Sequence, residues 1–353
     1  MAKVSKKTKI IAAVLASLTG FTGASVAAGV IAYDSFFPRY ERPDYAVTAG
    51  QYCYERVSDT LKREEFFYKS KDSELKGYYY ESEQNKGLVV VSHGFHAGAD
   101  DYIPLISYMI KSGYNVFAYD VNGTYDSKGD SLIGMCQSLV DLDYTLSYIG
   151  KTEPYSSQPL FLIGHSWGGY AVTSVLEFHK QVKACAGIAP MNNGFTIMLE
   201  KGKQYAGPLA LVPVPIFNAY QRILFSKYAN SSGVKGINSV DIPVIIAHGV
   251  DDEIISYTEQ SVISHKKEIT NPNVIYYDGF GVHGDHNNIW HSDRSALYQQ
   301  EVASKLRLLR IQKGKDLTYD EKADFYKTVD HALYSEVNEE LMDLIVSTFD
   351  SQL

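Results

Sequence analysis

A serine between two glycines, with aspartates and histidines behind it in chain order, carries the residue types of nucleophilic acyl transfer. Gly164-His165-Ser166-Trp167-Gly168 fits the G-x-S-x-G nucleophile elbow, in which a tight strand-to-helix turn pushes the serine hydroxyl outward. The apolar run Pro159-Leu-Phe-Leu-Ile163 before it reads as a buried strand. Tyr170 to His179 after it carry helical spacing. Small residues on both sides suit a backbone that is strained and crowded at such a turn.

Serine is a weak nucleophile, so it needs a base, and the base needs an orienting carboxylate. In one chain order of this machinery the acid follows the serine and the histidine comes last. The acid is then expected in His248-Gly249-Val250-Asp251-Asp252. Asp252 is preferred because it stands three residues after Gly249 and precedes an apolar pair, Ile254-Ile255; Asp251 competes. The base is expected between Gly279 and Ile289. His286 is preferred over His283, with His291 third. The oxyanion needs two preorganised donors. One is the Trp167 N–H. The other is the Phe95 N–H in His93-Gly94-Phe95, where Gly94 lets the backbone approach closely. The His93 side chain reads as a structural hydrogen-bonding residue.

Those residues need a frame. Glu65–Lys69 and Leu75–Glu81 read as a hairpin around Ser70–Ser73. Strands are expected at Leu88–Ser92, Tyr114–Tyr119, Pro159–Ile163, Ala184–Ile188, Ile242–Ala247 and Asn273–Tyr277. Helices are expected from Tyr102 to Ile110, Gly134 to Ile149, about 257 to 269, and Asp293 to Gln312. Alternation at this spacing predicts an α/β fold with a mainly parallel sheet flanked by helices. Each candidate catalytic residue then falls at the carboxyl end of a strand, where such sheets place their sites.

The set His93-Gly94, Asp120 with Gly123 and Gly129, Gly164-x-Ser166-x-Gly168, Gly249-x-x-Asp252 and His286-Asn287 resembles the α/β-hydrolase superfamily. Within it, the chain is most similar to the serine aminopeptidase S33/monoacylglycerol-lipase-like (lysophospholipase-like) group, over about Glu64 to Gln312. The resemblance implies the α/β-hydrolase fold and a serine hydrolase without metal or cofactor. It does not choose among esterases, lipases, thioesterases, peptidases and acyltransferases. The chain departs from the family in Asp285, where a glycine is frequent before the histidine. That carboxylate either raises the histidine's pKa or faces solvent.

The stretch from about 191 to 240 is longer than one helix needs, and the resemblance places a cap there. In Pro215–Tyr228 a stripe of Ile216, Phe217, Tyr220, Ile223, Leu224 and Tyr228 recurs at helical spacing. Phe217, Tyr220 and Leu224 are the candidate substrate-binding residues; packing the cap onto the body is the competing role. Glu200 is the insert's sole acid before Asp241, which favours ester over aminopeptidase substrates. Peptidase or acyltransferase chemistry on the same residues is an alternative, as is a non-catalytic envelope binding protein. The acidic tail, 316–353, is helical in pattern and is expected to dock on the body.

The chain has 353 residues and a formal charge of −8. Lys3, Lys6, Lys7 and Lys9 are the charged side chains of the first 33 residues, so the remainder carries 29 basic and 41 acidic residues. That balance argues against nucleic acid and against a polybasic grip on lipid. Cys53, Cys136 and Cys185 are widely spaced and read as buried hydrophobes. Ile10 to Tyr33 carry no charge and, as a helix, reach about 36 Å, enough to cross a bilayer. Residues 1–33 are read as a membrane anchor with a cytoplasmic N-terminus. The alternative is a cleaved secretion signal with small residues at Ser25–Ala28. Either places the body outside the cytoplasm. Residues 34–63 are a connector and 64–353 the catalytic domain.

Overall fold

The computed structural model describes residues 26–48 and 53–353. A helix over residues 26–35 (α1) leads to the hairpin β1 (Glu64–Ser70) and β2 (Ser73–Tyr80). Then come β3 (Leu88–Ser92), α2 (Ile103–Lys111), β4 (Asn115–Tyr119) and α3 (Gln137–Ile149). β5 (Leu160–His165), α4 (Trp167–Ser174) and β6 (Val182–Ile188) follow. The insert supplies α5 (Gly194–Ala206), α6 (Val214–Phe225) and α7 (Gly233–Asn238). β7 (Val244–Gly249), β8 (Val274–Gly279) and α8 (Asp293–Lys313) complete the body. The tail forms α9 (Tyr319–Tyr326), α10 (His331–Tyr334) and α11 (Glu339–Asp350).

The eight strands lie in the order β1-β2-β4-β3-β5-β6-β7-β8. β1 and β2 pair antiparallel, as do β2 and β4; every pair from β4 onward is parallel. The central strands are buried along their whole length and mostly apolar because both faces are covered. β3 shows the alternation: Leu88 and Val90 join the core under α3, α4 and α7, while Val89 and Val91 join the core under α2 and α11. Leu341, Met342, Ile345 and Phe349 of α11 are fully buried, so the tail docks as expected.

Two expectations are corrected. No helix spans 257–269; a 3-10 turn at Ile263–Glu268 interrupted at His265 stands there. The cause is local competition. Ser261 Oγ donates to Tyr257 O and accepts Ser264 N–H, and Ser264 Oγ donates to Glu259 O and Ser261 O. Such bonds offer the backbone an alternative to a helical ladder. β7 begins at Val244, two residues after its expected start, because Pro243 has no N–H to give a ladder.

Residues 10–25 of the predicted anchor lie outside the described residues. Its last residues do not. Tyr33 is fully buried, with its ring edge against Phe217 and Tyr220 of α6 at 5.5 and 5.2 Å. The apolar run therefore ends inside the folded body. Among the described residues no helix is long and apolar enough to cross a membrane.

Candidate active site

The elbow is built from close backbone contacts. Ser166 has φ 57° and ψ −114°, a left-handed strain at the point where β5 turns into α4. A Cβ on Gly164 would stand 2.3 Å from Gly168 O, and one on Gly168 would stand 2.0 Å from Ser92 O. Neither position admits a side chain. Ser166 N–H donates to Ile188 O at 2.8 Å, which ties the turn to β6.

From that turn Ser166 Oγ lies 2.9 Å from His286 Nε2. His286 Nδ1 lies 2.6 Å from Asp252 Oδ2. The three side chains come from the ends of β5, β7 and β8 and meet in a nearly closed site. Asp252 is the most heavily bonded. Its Oδ1 accepts the N–H groups of Ile254 and Ile255, both at 2.8 Å. Its Oδ2 also lies 3.1 Å from His248 Nε2, whose N–H is shared with Ile255 O at 2.9 Å. Burial alone would raise the Asp252 pKa, but the hydrogen bonds from His248 and His286 win and hold it well below the usual carboxylate range.

The competitors fall elsewhere. Asp251 is exposed. His283 pairs with Asp293 at 2.6 Å at the start of α8. His291 is buried on the far side of Trp290, in a bridge with Val337 of the tail. Asp285 is exposed and accepts the N–H groups of Asn287 and Asn288 at 2.9 and 3.3 Å. It caps its own loop, which is the solvent-facing arm of the expectation.

The oxyanion loop is held from several sides. His93 is buried; its Nδ1–H donates to Gly94 O at 2.8 Å and its Nε2 accepts Val121 N–H at 2.9 Å. Burial lowers its pKa to about 4, so it sits neutral and structural. Asp120 accepts Ala99 N–H at 2.8 Å, and Asp101 accepts Gly98 N–H at 2.9 Å. Asp100 lies between the guanidinium groups of Arg42 and Arg63. The Phe95 ring is set edge-on between Phe37 at 6.1 Å and Trp167 at 5.2 Å. The N–H groups of Phe95 and Trp167 donate to no protein acceptor among the described residues.

The candidate substrate-binding residues sit on the cap's inner side. Phe217 and Tyr220 rest on Tyr33, and Leu224 packs on the cluster of Cys136, Val140, Phe225 and Ala229. Ile223 leaves the stripe and is 77% exposed. Glu200 of α5 is buried and its Oε2 has no partner among the described residues. Burial raises the pKa of this carboxyl, as do Glu259 and Asp252 nearby.

Known proteins share this fold. The family model of "Serine aminopeptidase, S33" matches residues 83–215. The uncharacterised protein YfhR of Salmonella typhi is 24% identical over 235 residues, 62% of this chain and 73% of its own. The esterase Pf2001 of Pyrococcus furiosus superposes with TM-score 0.54 at 18% identity, over 78% of this chain and 98% of its own. Est1E of Butyrivibrio proteoclasticus, with ferulic acid bound, gives 0.50 at 15% identity, over 70% and 99%.

The chain has the α/β-hydrolase fold. Three features of this fold and its site escape a reading of the sequence. His248 as a second donor to Asp252 is one; its place four residues before the acid was the available signal. Tyr102 and His165, described below, form the second. The third is the use of Tyr33 and Phe37 as core residues.

Proposed function

We propose that this protein is a serine hydrolase of the α/β-hydrolase superfamily that cleaves an ester of a small or lipid-like substrate through an acyl-enzyme on Ser166. One observation carries the reading: the unbroken contact Ser166 Oγ–His286 Nε2–Asp252 at 2.9 and 2.6 Å. As Oγ attacks the ester carbonyl carbon, its proton passes to His286 Nε2. The C–O bond to Ser166 forms, and the carbonyl electron pair moves to the oxygen, which meets the Phe95 and Trp167 N–H groups. Collapse breaks the bond to the alcohol, which leaves with the proton from His286. Water repeats the cycle on the acyl-enzyme, with His286 first base and then acid. Ionised Asp252 fixes the imidazole tautomer and stabilises the imidazolium.

A fluorophosphonate probe tests this. Labelling is expected in the wild type and absent in Ser166→Ala. An intact protein that never labels would sink the reading and favour a non-catalytic binding protein.

Phe95 and the inner side of α6, with Phe217, Tyr220 and Leu224, are proposed to receive the acyl group. Glu200 supports a second reading. Its unpartnered Oε2 near the acid loop could receive a substrate ammonium, which would make the protein an aminoacyl hydrolase. A panel of p-nitrophenyl esters of rising chain length against an aminoacyl anilide separates the two. Faster anilide turnover that Glu200→Gln abolishes would establish the second. Acyl transfer to an alcohol or amine in place of water would appear in the products of the same panel.

The lysine-flanked apolar run supports a membrane-anchored or secreted setting. Because Tyr33 packs in the body, the anchor is proposed to end before Gly29, with cleavage at Ser25–Ala28 as the alternative.

A further inference from the structure

A hydrogen-bond chain that the mechanism does not use joins the oxyanion loop to the base loop through the interior. Gly94 N–H donates to Tyr102 Oη at 2.9 Å. Tyr102 Oη lies 2.9 Å from His165 Nδ1. His165 Nε2 lies 3.1 Å from the carbonyl oxygen of His286. Tyr102 and His165 are 4% and 5% exposed, so water does not compete for these bonds.

The ends of the chain fix its polarity. A carbonyl oxygen only accepts, so His165 Nε2 carries the hydrogen. In a neutral imidazole Nδ1 is then the acceptor. Tyr102 must donate to it, which leaves the phenol oxygen to accept Gly94 N–H. Neutrality follows from burial and from the neighbouring His286, which push the His165 pKa down to about 3. Every donor and acceptor is used once in the required direction.

We propose that Tyr102 and His165 are positioning residues that lock the oxyanion loop, the nucleophile elbow and the base loop in one register. Tyr102 takes up the Gly94 N–H, so the next donor, Phe95 N–H, stays free for the oxyanion. His165, adjacent to Ser166, grips the backbone of His286 so that its ring meets Ser166 and Asp252 together. The three segments hang from β3, β5 and β8, and the two side chains together bond all of them. Misplacement by about 1 Å costs on the order of 100-fold in rate, so such a lock has a measurable effect. This assignment rests on Ser166 being the nucleophile.

Tyr102→Phe deletes one hydroxyl and keeps the ring stacked on Trp290, 5.6 Å away at 13°. With p-nitrophenyl butyrate, kcat is expected to fall about 10- to 100-fold while KM stays within about twofold, the signature of an interaction felt in the transition state. The melting temperature should move by only a few degrees. His165→Leu should lose more, and His165→Gln, which can still donate to the His286 carbonyl, should recover part of it. The double variant Tyr102→Phe/His165→Leu should be no slower than His165→Leu alone, because one chain is cut in either case. A Tyr102→Phe enzyme with wild-type kcat, or losses that multiply in the double variant, would overturn the proposal. If Ser166→Ala kept its turnover, the nucleophile assignment would fail and the lock with it. If Ser166→Ala were dead and Tyr102→Phe normal, the lock alone would fail.

Discussion

Asp252 is an ionised side chain with no exposure; its two oxygens accept three hydrogen bonds and share a fourth donor, His248 Nε2–H, with Ile255 O. Backbone N–H groups hold one oxygen while two imidazoles share the other. That division makes two substitutions behave differently. Asp252→Asn turns an amide toward His286 Nδ1 and selects the wrong tautomer, so kcat should fall on the order of 10,000-fold in a folded protein. Steady-state kinetics beside a circular dichroism melt would check both halves. His248→Ala leaves His286 its acceptor but removes one donor from a buried carboxylate. The expected cost is about 1–3 kcal/mol of stability with a smaller loss of rate. A loss of rate equal to that of Asp252→Asn would show that His248 does more than share the carboxylate. Buried cysteines have no part in this chemistry: burial raises the Cys136 thiol to about 12 and raises Cys185 as well.

At the scale of elements, the N-terminal segment is the least ordinary part. Gly29, Tyr33 and Phe37 are buried and recur every fourth residue, so one side of this stretch packs while Ile31 and Phe36 stay exposed. Residues 37–40 then bridge to the loop after β4, with Leu132 N–H donating to Phe37 O at 2.9 Å and Tyr40 N–H to Gly123 O at 2.8 Å. Phe37 thereby supports Phe95 from behind. Phe37→Ala should cost about 3–5 kcal/mol, as for a buried aromatic. Tyr33→Phe should be neutral or stabilising by up to about 1 kcal/mol, because its buried hydroxyl has no partner among the described residues. A clear destabilisation by Tyr33→Phe in urea titration would reveal a partner for that hydroxyl.

This segment also marks where the sequence stops being legible. An apolar run has the same composition whether it meets lipid or a cap, so Tyr33 could not be placed from its neighbours. The central strands could be, since Val89–Val91 and Leu160–Ile163 are apolar on both faces and only a covered sheet explains that. Gly164 and Gly168 were readable because no other residue fits the elbow. Choosing Asp252 over Asp251 and His286 over His283 depended on loop conformation. The composition of those loops is nearly symmetric, and it is the folded loops that bring Asp252, two residues before the apolar pair Ile254-Ile255, against His286. The serine-rich stretch 256–264 was misread because apolar spacing carries no record of hydroxyls bonding their own backbone.

Across the whole molecule, the cap's return to the body is held at Asp143 of α3. Its carboxylate lies 2.5 Å from His179 Nε2 and 3.2 Å from Lys227 Nζ, and it accepts the Tyr228 hydroxyl. Lys227 and Tyr228 follow α6, so this one group ties the end of the cap helix to the sheet's covering layer. Burial would raise its pKa, but the hydrogen bonds from His179 and Tyr228 outweigh that and lower it to about 2. A carboxylate depressed in the folded state binds its proton more readily when unfolded. Its contribution is therefore complete above the ordinary value of about 4 and is lost as pH falls from there through about 2. Asp143→Asn should remove about 1–2 kcal/mol at neutral pH, allowing for the partly exposed Lys227 arm. The variant's stability should then change less steeply than the wild type's between about pH 4 and pH 2. Urea midpoints measured across that range decide it. Parallel curves for the two proteins would mean that Asp143 titrates normally and that the cap is held by its apolar contacts alone.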